Sequence, residues 1–127
     1  MNKFLFLLTF LFSTIVSFSQ ETLFGRAYLL YTAESDGTEL VWNEEPLKCD
    51  ILVQIEGQKV TIYSKETQTY RIISLKENGE KISQYLAING NGIKCYLYIG
   101  KYGKSNDIGV TIEFSDLGWT YVVTEDD

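Results

Sequence analysis

The chain has 127 residues, with 11 basic and 17 acidic side chains, no histidine and a net charge of −6. An acidic protein repels phosphate backbones and anionic lipid surfaces, so nucleic acid is not an expected partner. The missing histidine removes the commonest general base, the commonest zinc ligand and the usual physiological-pH switch.

The first stretch reads apart from the rest. Asn2 and Lys3 make a short positive start, Phe4 to Phe12 is apolar apart from Thr9, and Ser13 to Gln20 turns small and polar, with Ser17-Phe18-Ser19 as a small-x-small pattern. This is the pattern of a secretory signal peptide. Cleavage is expected after Ser19, giving residues 1–19 as the signal and 20–127 as one domain; losing Lys3 takes the net charge to −7. The apolar part spans about 15 residues against the roughly 20 of a bilayer span, so an uncleaved anchor is the lesser alternative and no membrane span is expected after cleavage. The expected address is outside the cytoplasm, periplasmic or secreted.

Leu23 to Thr32 is apolar on both faces except at Arg26 and reads as a strand that is central or lies between layers. Asp36-Gly37 marks a tight turn, Thr38 to Asn43 a shorter strand, and Glu44-Glu45-Pro46 a loop or edge, because proline cannot donate to a ladder. Cys49 to Ser64 is the clearest pattern. Cys49, Ile51, Val53 and Ile55 share a face, and after Glu56-Gly57-Gln58-Lys59, Val60 and Ile62 alternate with Thr61 and Tyr63. Period-2 alternation on both sides of a polar turn predicts a half-buried hairpin. Thr67 to Leu75 is a further strand, and Asn78-Gly79 a turn. In the strand from Ile82 to Ile88, residues Ile82, Leu86 and Ile88 share a face. After the doubled turn signal Asn89-Gly90-Asn91-Gly92, Ile93, Cys95, Leu97 and Ile99 oppose Lys94, Tyr96 and Tyr98. Residues 100–107 form a loop. Ile108, Val110, Ile112 and Phe114 share a face, and Trp119 to Thr124 is the last strand.

About eight to nine short strands at this spacing, with no helical period after the signal, predict an all-β fold. Short connections make successive strands antiparallel neighbours in an up-and-down meander. Closure removes the exposed edges, so a closed or nearly closed barrel is expected, with a two-sheet β-sandwich as the alternative.

The chemistry-bearing candidates are few. Cys49 and Cys95 are the only cysteines; an exported chain crosses an oxidising compartment, so they are a disulfide candidate, with two buried thiols as the alternative. Lys94, Tyr96, Tyr98, Lys101 and Tyr102, with Lys104, form the one locally basic and aromatic stretch. It is a candidate ligand- or partner-binding face, set against an ordinary solvated strand edge. Trp42 and Trp119 are expected as core anchors, and a ligand cavity, if present, inside the barrel and lined by residues such as Leu29, Tyr31, Val53, Leu97 or Trp119. Glu44-Glu45 with Asp50, or Asp107 with Asp116, are carboxylate pairs only in a loose sense, and Asn89, Asn91, Asn106 and Asp107 lack the spacing of a calcium loop. No catalytic set, metal site or cofactor motif is present in the sequence.

In size, export signal and meander, the chain is similar in outline to lipocalin-like domains. The Gly-x-Trp of that family's first strand is absent: Gly25-Arg26-Ala27 carries no Trp, and Gly118-Trp119 falls in the last strand. The resemblance is architectural and assigns no residue a role. Together these observations point to an exported binding module rather than an enzyme. It would hold a small apolar molecule inside the barrel or a partner on the aromatic and lysine face. The alternative is a structural or protein-interaction component of the cell envelope with a filled core.

Overall fold

The computed structural model describes residues 22–103 and 106–125. The expected signal peptide, residues 1–19, and Lys104 lie outside them. Nine strands follow in chain order: β1 (Thr22–Ser35), β2 (Leu40–Trp42), β3 (Leu47–Glu56), β4 (Lys59–Tyr63), β5 (Gln68–Asn78), β6 (Ile82–Asn89), β7 (Lys94–Lys101), β8 (Ile108–Glu113) and β9 (Leu117–Glu125). Every pairing is antiparallel, neighbours follow the meander from β3 to β9, and β9 pairs with β1. Eight strands therefore close into a barrel, and the short β2 is an addition outside the closed ring.

β1 is long because it serves three partners. One edge pairs with β3 from Thr22 to Leu30 and then with β2 from Ala33 to Ser35; the other edge pairs with β9. The break between β2 and β3 falls at Glu44-Glu45-Pro46, where proline removes a ladder donor.

The alternation read from the sequence sets the inner face. Val53, Ile55, Val60, Ile62, Leu97, Val110, Ile112 and Val123 are buried in one core cluster, with Cys49, Ile51, Ile99, Ile108, Phe114 and Trp119 packed against it. Burying each large aliphatic side chain is worth about 1.5–3 kcal/mol, which pins the register, since a one-residue slip would turn every one of them to solvent. In β6 the inward residues are Tyr85 and Ala87, so the shared face of Ile82, Leu86 and Ile88 is the outer one; Ile82 is exposed.

β1 departs from simple alternation. Its register slips between Ala27 and Leu29 against both neighbours, leaving Tyr28 as a bulge. The extra residue reverses the facing of the rest of the strand. Ala27 lies in the core before it and Leu30 packs on the core after it, while Leu29, Tyr31 and Ala33 turn outward.

The interior is bridged by polar side chains. Gln68 on β5 donates through Nε2 to the Tyr121 hydroxyl on β9 at 3.1 Å and to Ser64 Oγ at 3.0 Å, and its Oε1 accepts from the Tyr70 hydroxyl at 2.6 Å. β5 and β9 lie four strands apart in either direction round the eight-strand ring. The Gln68–Tyr121 bond therefore spans the barrel axis. Tyr70 and Tyr121 are almost fully buried. Burial, ahead of any neighbouring group, pushes both phenols up.

The disulfide expectation is overturned: Cys49 and Cys95 are both free thiols. Cys49 sits on β3 and Cys95 on β7, again four strands apart in either direction. At about 4.8 Å per strand an eight-strand ring is roughly 12 Å or more across, beyond the ~7 Å that a disulfide bridges between Cα atoms. Both point inward, as the alternation predicted, but from opposite walls. The Cys49 Sγ donates to the Ala27 carbonyl at 3.5 Å. Burial pushes the Cys95 thiol up to about 11, and burial followed by the Asp50 charge raises that of Cys49.

Candidate aromatic groove on the outer wall

The outer wall over β7, β8, β9 and β1 carries three parallel rows of cross-strand neighbours. The central row runs Tyr98, Thr111, Thr120, Tyr31. The two threonine hydroxyls hydrogen-bond each other at 2.8 Å. They form a low floor with a tyrosine at each end.

The row on one side runs Tyr96, Glu113, Gly118, Ala33. Gly118 leaves room for the side chains that β2 brings over the wall. A Cβ there would sit 3.2 Å from Leu40 Cδ1 and 3.4 Å from Trp42 Cη2. Trp42 thus lies across Gly118 and beside its β1 partner Ala33, which is buried although it faces outward. The β1–β2 turn that delivers Trp42 is fixed by Asp36, whose carboxylate accepts from the Thr38 amide and hydroxyl and from the Glu39 amide. Those bonds, led by the one from Glu39, hold its carboxyl down at about 2.

The row on the other side runs Gly100, Gly109, Val122, Leu29. The Tyr102 ring lies against Gly109, with Cδ1 3.7 Å from where a Cβ would stand. Its hydroxyl donates to that of Tyr31 at 3.0 Å, and the rings lie 6.2 Å apart. Val122 is fully buried yet belongs to no part of the barrel core. The segment carrying Tyr102 is tied back by its own amide to the Asp107 carbonyl at 3.0 Å and by the bulged Tyr28, whose hydroxyl donates to the Asp107 carboxylate. The hydrogen bond to Tyr31, followed by burial, pushes the Tyr102 hydroxyl up to about 12.

Tyr31, Trp42, Tyr98, Tyr102, Thr111, Thr120 and Glu113, with Ile82 of β6, line an open groove of about 410 Å³. Among the described residues lining it, Glu113 is the single charged group. Tyr98 places its hydroxyl between Gln84 Nε2, which donates to it at 3.0 Å, and the Glu113 carboxylate, to which it hydrogen-bonds. Burial raises the Glu113 carboxyl above the ordinary glutamate value, and the Tyr98 hydrogen bond partly offsets this.

Of the five residues singled out in the sequence, the structure brings two, Tyr98 and Tyr102, into this groove. Tyr96 is exposed on the same face between Leu86 and Glu113, just outside the lining. Lys94 is exposed further along that face beside Ile88. Lys101 has the opposite facing from Tyr98 and is exposed at the rim, beside Ile108. Two residues expected elsewhere belong to the groove. Trp42 is not a core anchor, because β2 lies outside the closed ring and its inward side is already taken by β1 and β9. Tyr31 lines the outer wall, not an interior cavity, because the Tyr28 bulge reverses its facing. Trp119 packs on the core as expected, 5.8 Å from Phe114, with its buried indole N–H unpartnered among the described residues.

The loose carboxylate sets do not converge. Asp50 pairs with Arg26 at 2.6 Å in an exposed contact, worth about 0–1 kcal/mol. Asp107 and Asp116 lie beyond opposite ends of β8, as Asn89 and Asn91 lie beyond the opposite end of β7 from Asn106 and Asp107. Among the described residues, no three of Cys, Asp and Glu gather as a metal-binding group. The chain matches no protein-family model, no curated protein and no solved structure.

Proposed function

We propose that this chain is an exported binding module that captures its ligand on the outer wall of the barrel and does not transform it. The observation that carries this reading is the gathering of Tyr31, Trp42, Tyr98 and Tyr102 round a floor cleared by Thr111, Thr120, Gly109 and Gly118. Aromatic side chains supply large contact area at small entropic cost and are the common anchors of binding sites. Export is supported by the charged, apolar and small-residue order of residues 1–19. The Gln68–Tyr121 bond across the axis argues for the outer wall over the interior as the place of binding. An interior bridged in this way also favours one second reading, a structural or protein-interaction component of the envelope that has no small ligand.

The test is an amide NMR titration of the mature protein with three separate probes: choline, cellobiose and p-cresol. Saturable shifts from at least one probe at Tyr31, Trp42, Tyr98 and Thr120, without shifts at Tyr70 and Tyr121, are expected. Shifts centred on Tyr70 and Tyr121, or none from any probe, would overturn the reading in favour of an interior site or of the second reading.

A further inference from the structure

We propose that the groove takes a small organic cation, a quaternary ammonium compound, held by the aromatic rings and by Glu113. The inference rests on the groove being the binding site and specifies its ligand class.

Three observations lead to it. First, the polar groups of the groove are largely engaged with one another. Thr111 bonds Thr120, Tyr102 bonds Tyr31, and Tyr98 lies between Gln84 and Glu113. A sugar needs several donors and acceptors that are not already committed, whereas a quaternary ammonium group needs none. Second, Trp42 and three tyrosines surround the floor. Aromatic rings attract a cation through their quadrupoles, Trp most strongly, and cages of this composition suit alkylated ammonium groups, whose weak hydration makes them cheap to strip of water. Third, the one charge among the described lining residues is a carboxylate, drawn partly out of solvent and oriented by Tyr98. In that setting its attraction for a cation is screened less than at an open surface. The volume, about 410 Å³, falls near the lower end of the roughly 300–1,000 Å³ of small-molecule sites, which suits a compact cation over an extended chain.

A net-acidic protein raises the local concentration of cations generally, so the test must separate a built site from that background. Choline and its neutral isostere 3,3-dimethylbutan-1-ol have nearly the same shape and differ by one charge. Each is titrated at fixed ionic strength into the full mature chain carrying Trp119→Phe, in which Trp42 is the sole tryptophan and reports on the groove. Choline is expected to saturate the Trp42 signal and to bind at least fivefold more tightly than the isostere. Glu113→Gln is expected to weaken choline about fivefold or more and to leave the isostere unchanged, and Trp42→Ala, read by NMR at Thr120, to weaken choline about tenfold. Equal binding of choline and the isostere would overturn the cation inference and leave the groove as the binding site. An unsaturable choline response would overturn it as well, as would a folded Glu113→Gln protein of unchanged choline affinity. If cellobiose and p-cresol also leave the groove unshifted, the groove falls as the site too. The isostere comparison uses no groove substitution, so it decides the matter even if Glu113→Gln folds poorly.

Discussion

Replacing Gln68 by Leu should be among the more damaging single changes in the barrel, although Gln68 is itself only half-buried. Its amide is the shared partner of two almost fully buried hydroxyls: Tyr70 donates to its Oε1 and Tyr121 accepts from its Nε2. Gln68→Leu leaves both unpaired, and a buried polar group stripped of its partner costs about 1–3 kcal/mol. Two such groups, with some relaxation, give about 2–5 kcal/mol. For a domain of this size that is a fall in Tm of about 10–20 °C. The refined prediction is the triple variant Gln68→Leu, Tyr70→Phe, Tyr121→Phe. Removing all three polar partners together should recover most of the loss, because exchanging a whole hydrogen-bonded set for apolar groups of like shape is nearly neutral. Thermal and urea melts followed by circular dichroism measure both. A loss below about 1 kcal/mol in the single variant would mean that water reaches these hydroxyls and that the interior is open. A triple variant no more stable than the single one would equally refute the reasoning. Either result would return the interior of the barrel to consideration as a ligand site.

Four further outcomes follow from the same geometry. Gly118→Val should expel Trp42 and Leu40 from the wall and red-shift the Trp42 emission in the Trp119→Phe background. Because β2 lies outside the closed ring, it should cost less than about 5 °C in Tm; an unchanged emission maximum would show that Trp42 does not rest on Gly118. Asp36→Asn should abolish an acid-side stability slope. The folded carboxyl sits at about 2, below its unfolded value, so its contribution is present above pH 4 and lost as pH falls toward 2; melts of both proteins over that range test it. Ellman titration should find two thiols per chain after denaturation. In the native protein Cys49 should react before Cys95, which is more deeply buried, and a Tm that falls on adding dithiothreitol would contradict the free-thiol state. Glu113 should make stability and cation binding move oppositely with pH. Its folded carboxyl is raised by burial, so its cost to stability grows as pH rises through that value, while choline affinity grows over the same range. Tyr98 and Tyr96 are the titratable groups beside it on β7; its β9 partner is Gly118, and Thr120 and Trp42 line the same groove. Comparing Glu113→Gln with the parent chain, by melts and by choline titration from pH 4 to pH 7, isolates both effects.

The barrel was legible because its inner face obeys period 2 over most strands. From Cys49 to Ile55, from Ile93 to Ile99 and from Ile108 to Phe114 the apolar residues fall at every second position, and nearly all of them face inward. Closure followed from counting strands and asking what covers their edges. The groove was half legible. Tyr98 reads as outward because Cys95 and Leu97 must point in, and Tyr102 stands among lysines in the one basic and aromatic stretch. What hid Tyr31 is the Tyr28 bulge, as the position of β2 outside the closed ring hid Trp42. The bulge adds a single residue, has no marker in the sequence, and reverses the facing of everything after it in β1, so that the run from Leu23 to Thr32 reads as apolar on both faces. Ile82, Leu86 and Ile88 misled in a similar way: alternation identifies two faces of a strand, but two buried residues, Tyr85 and Ala87, decide which face is inner.

The glycines offered a signal that the pattern of apolar residues did not. Gly100, Gly109 and Gly118 sit inside strands, where a glycine weakens the ladder and packs nothing, and such positions mark a close approach by another group. Gly79, Gly90 and Gly92 belong to turn signals, Asn78-Gly79 and Asn89-Gly90-Asn91-Gly92. The strand glycines instead fall on the outer faces of β7, β8 and β9, side by side with residues that are themselves short, Thr111 and Thr120. A strip of wall with almost no side-chain height is a place for something to lie flat. At Gly118 that is Trp42 and at Gly109 it is Tyr102, each brought from a segment outside the closed ring. In the proposed function, the remaining floor between them takes the ligand. On this reasoning the glycine and threonine pattern of β8 and β9 belongs to binding and the aliphatic pattern of the same strands to folding. The two are separable by substitution: filling the floor with Thr111→Leu should abolish capture while leaving the barrel folded.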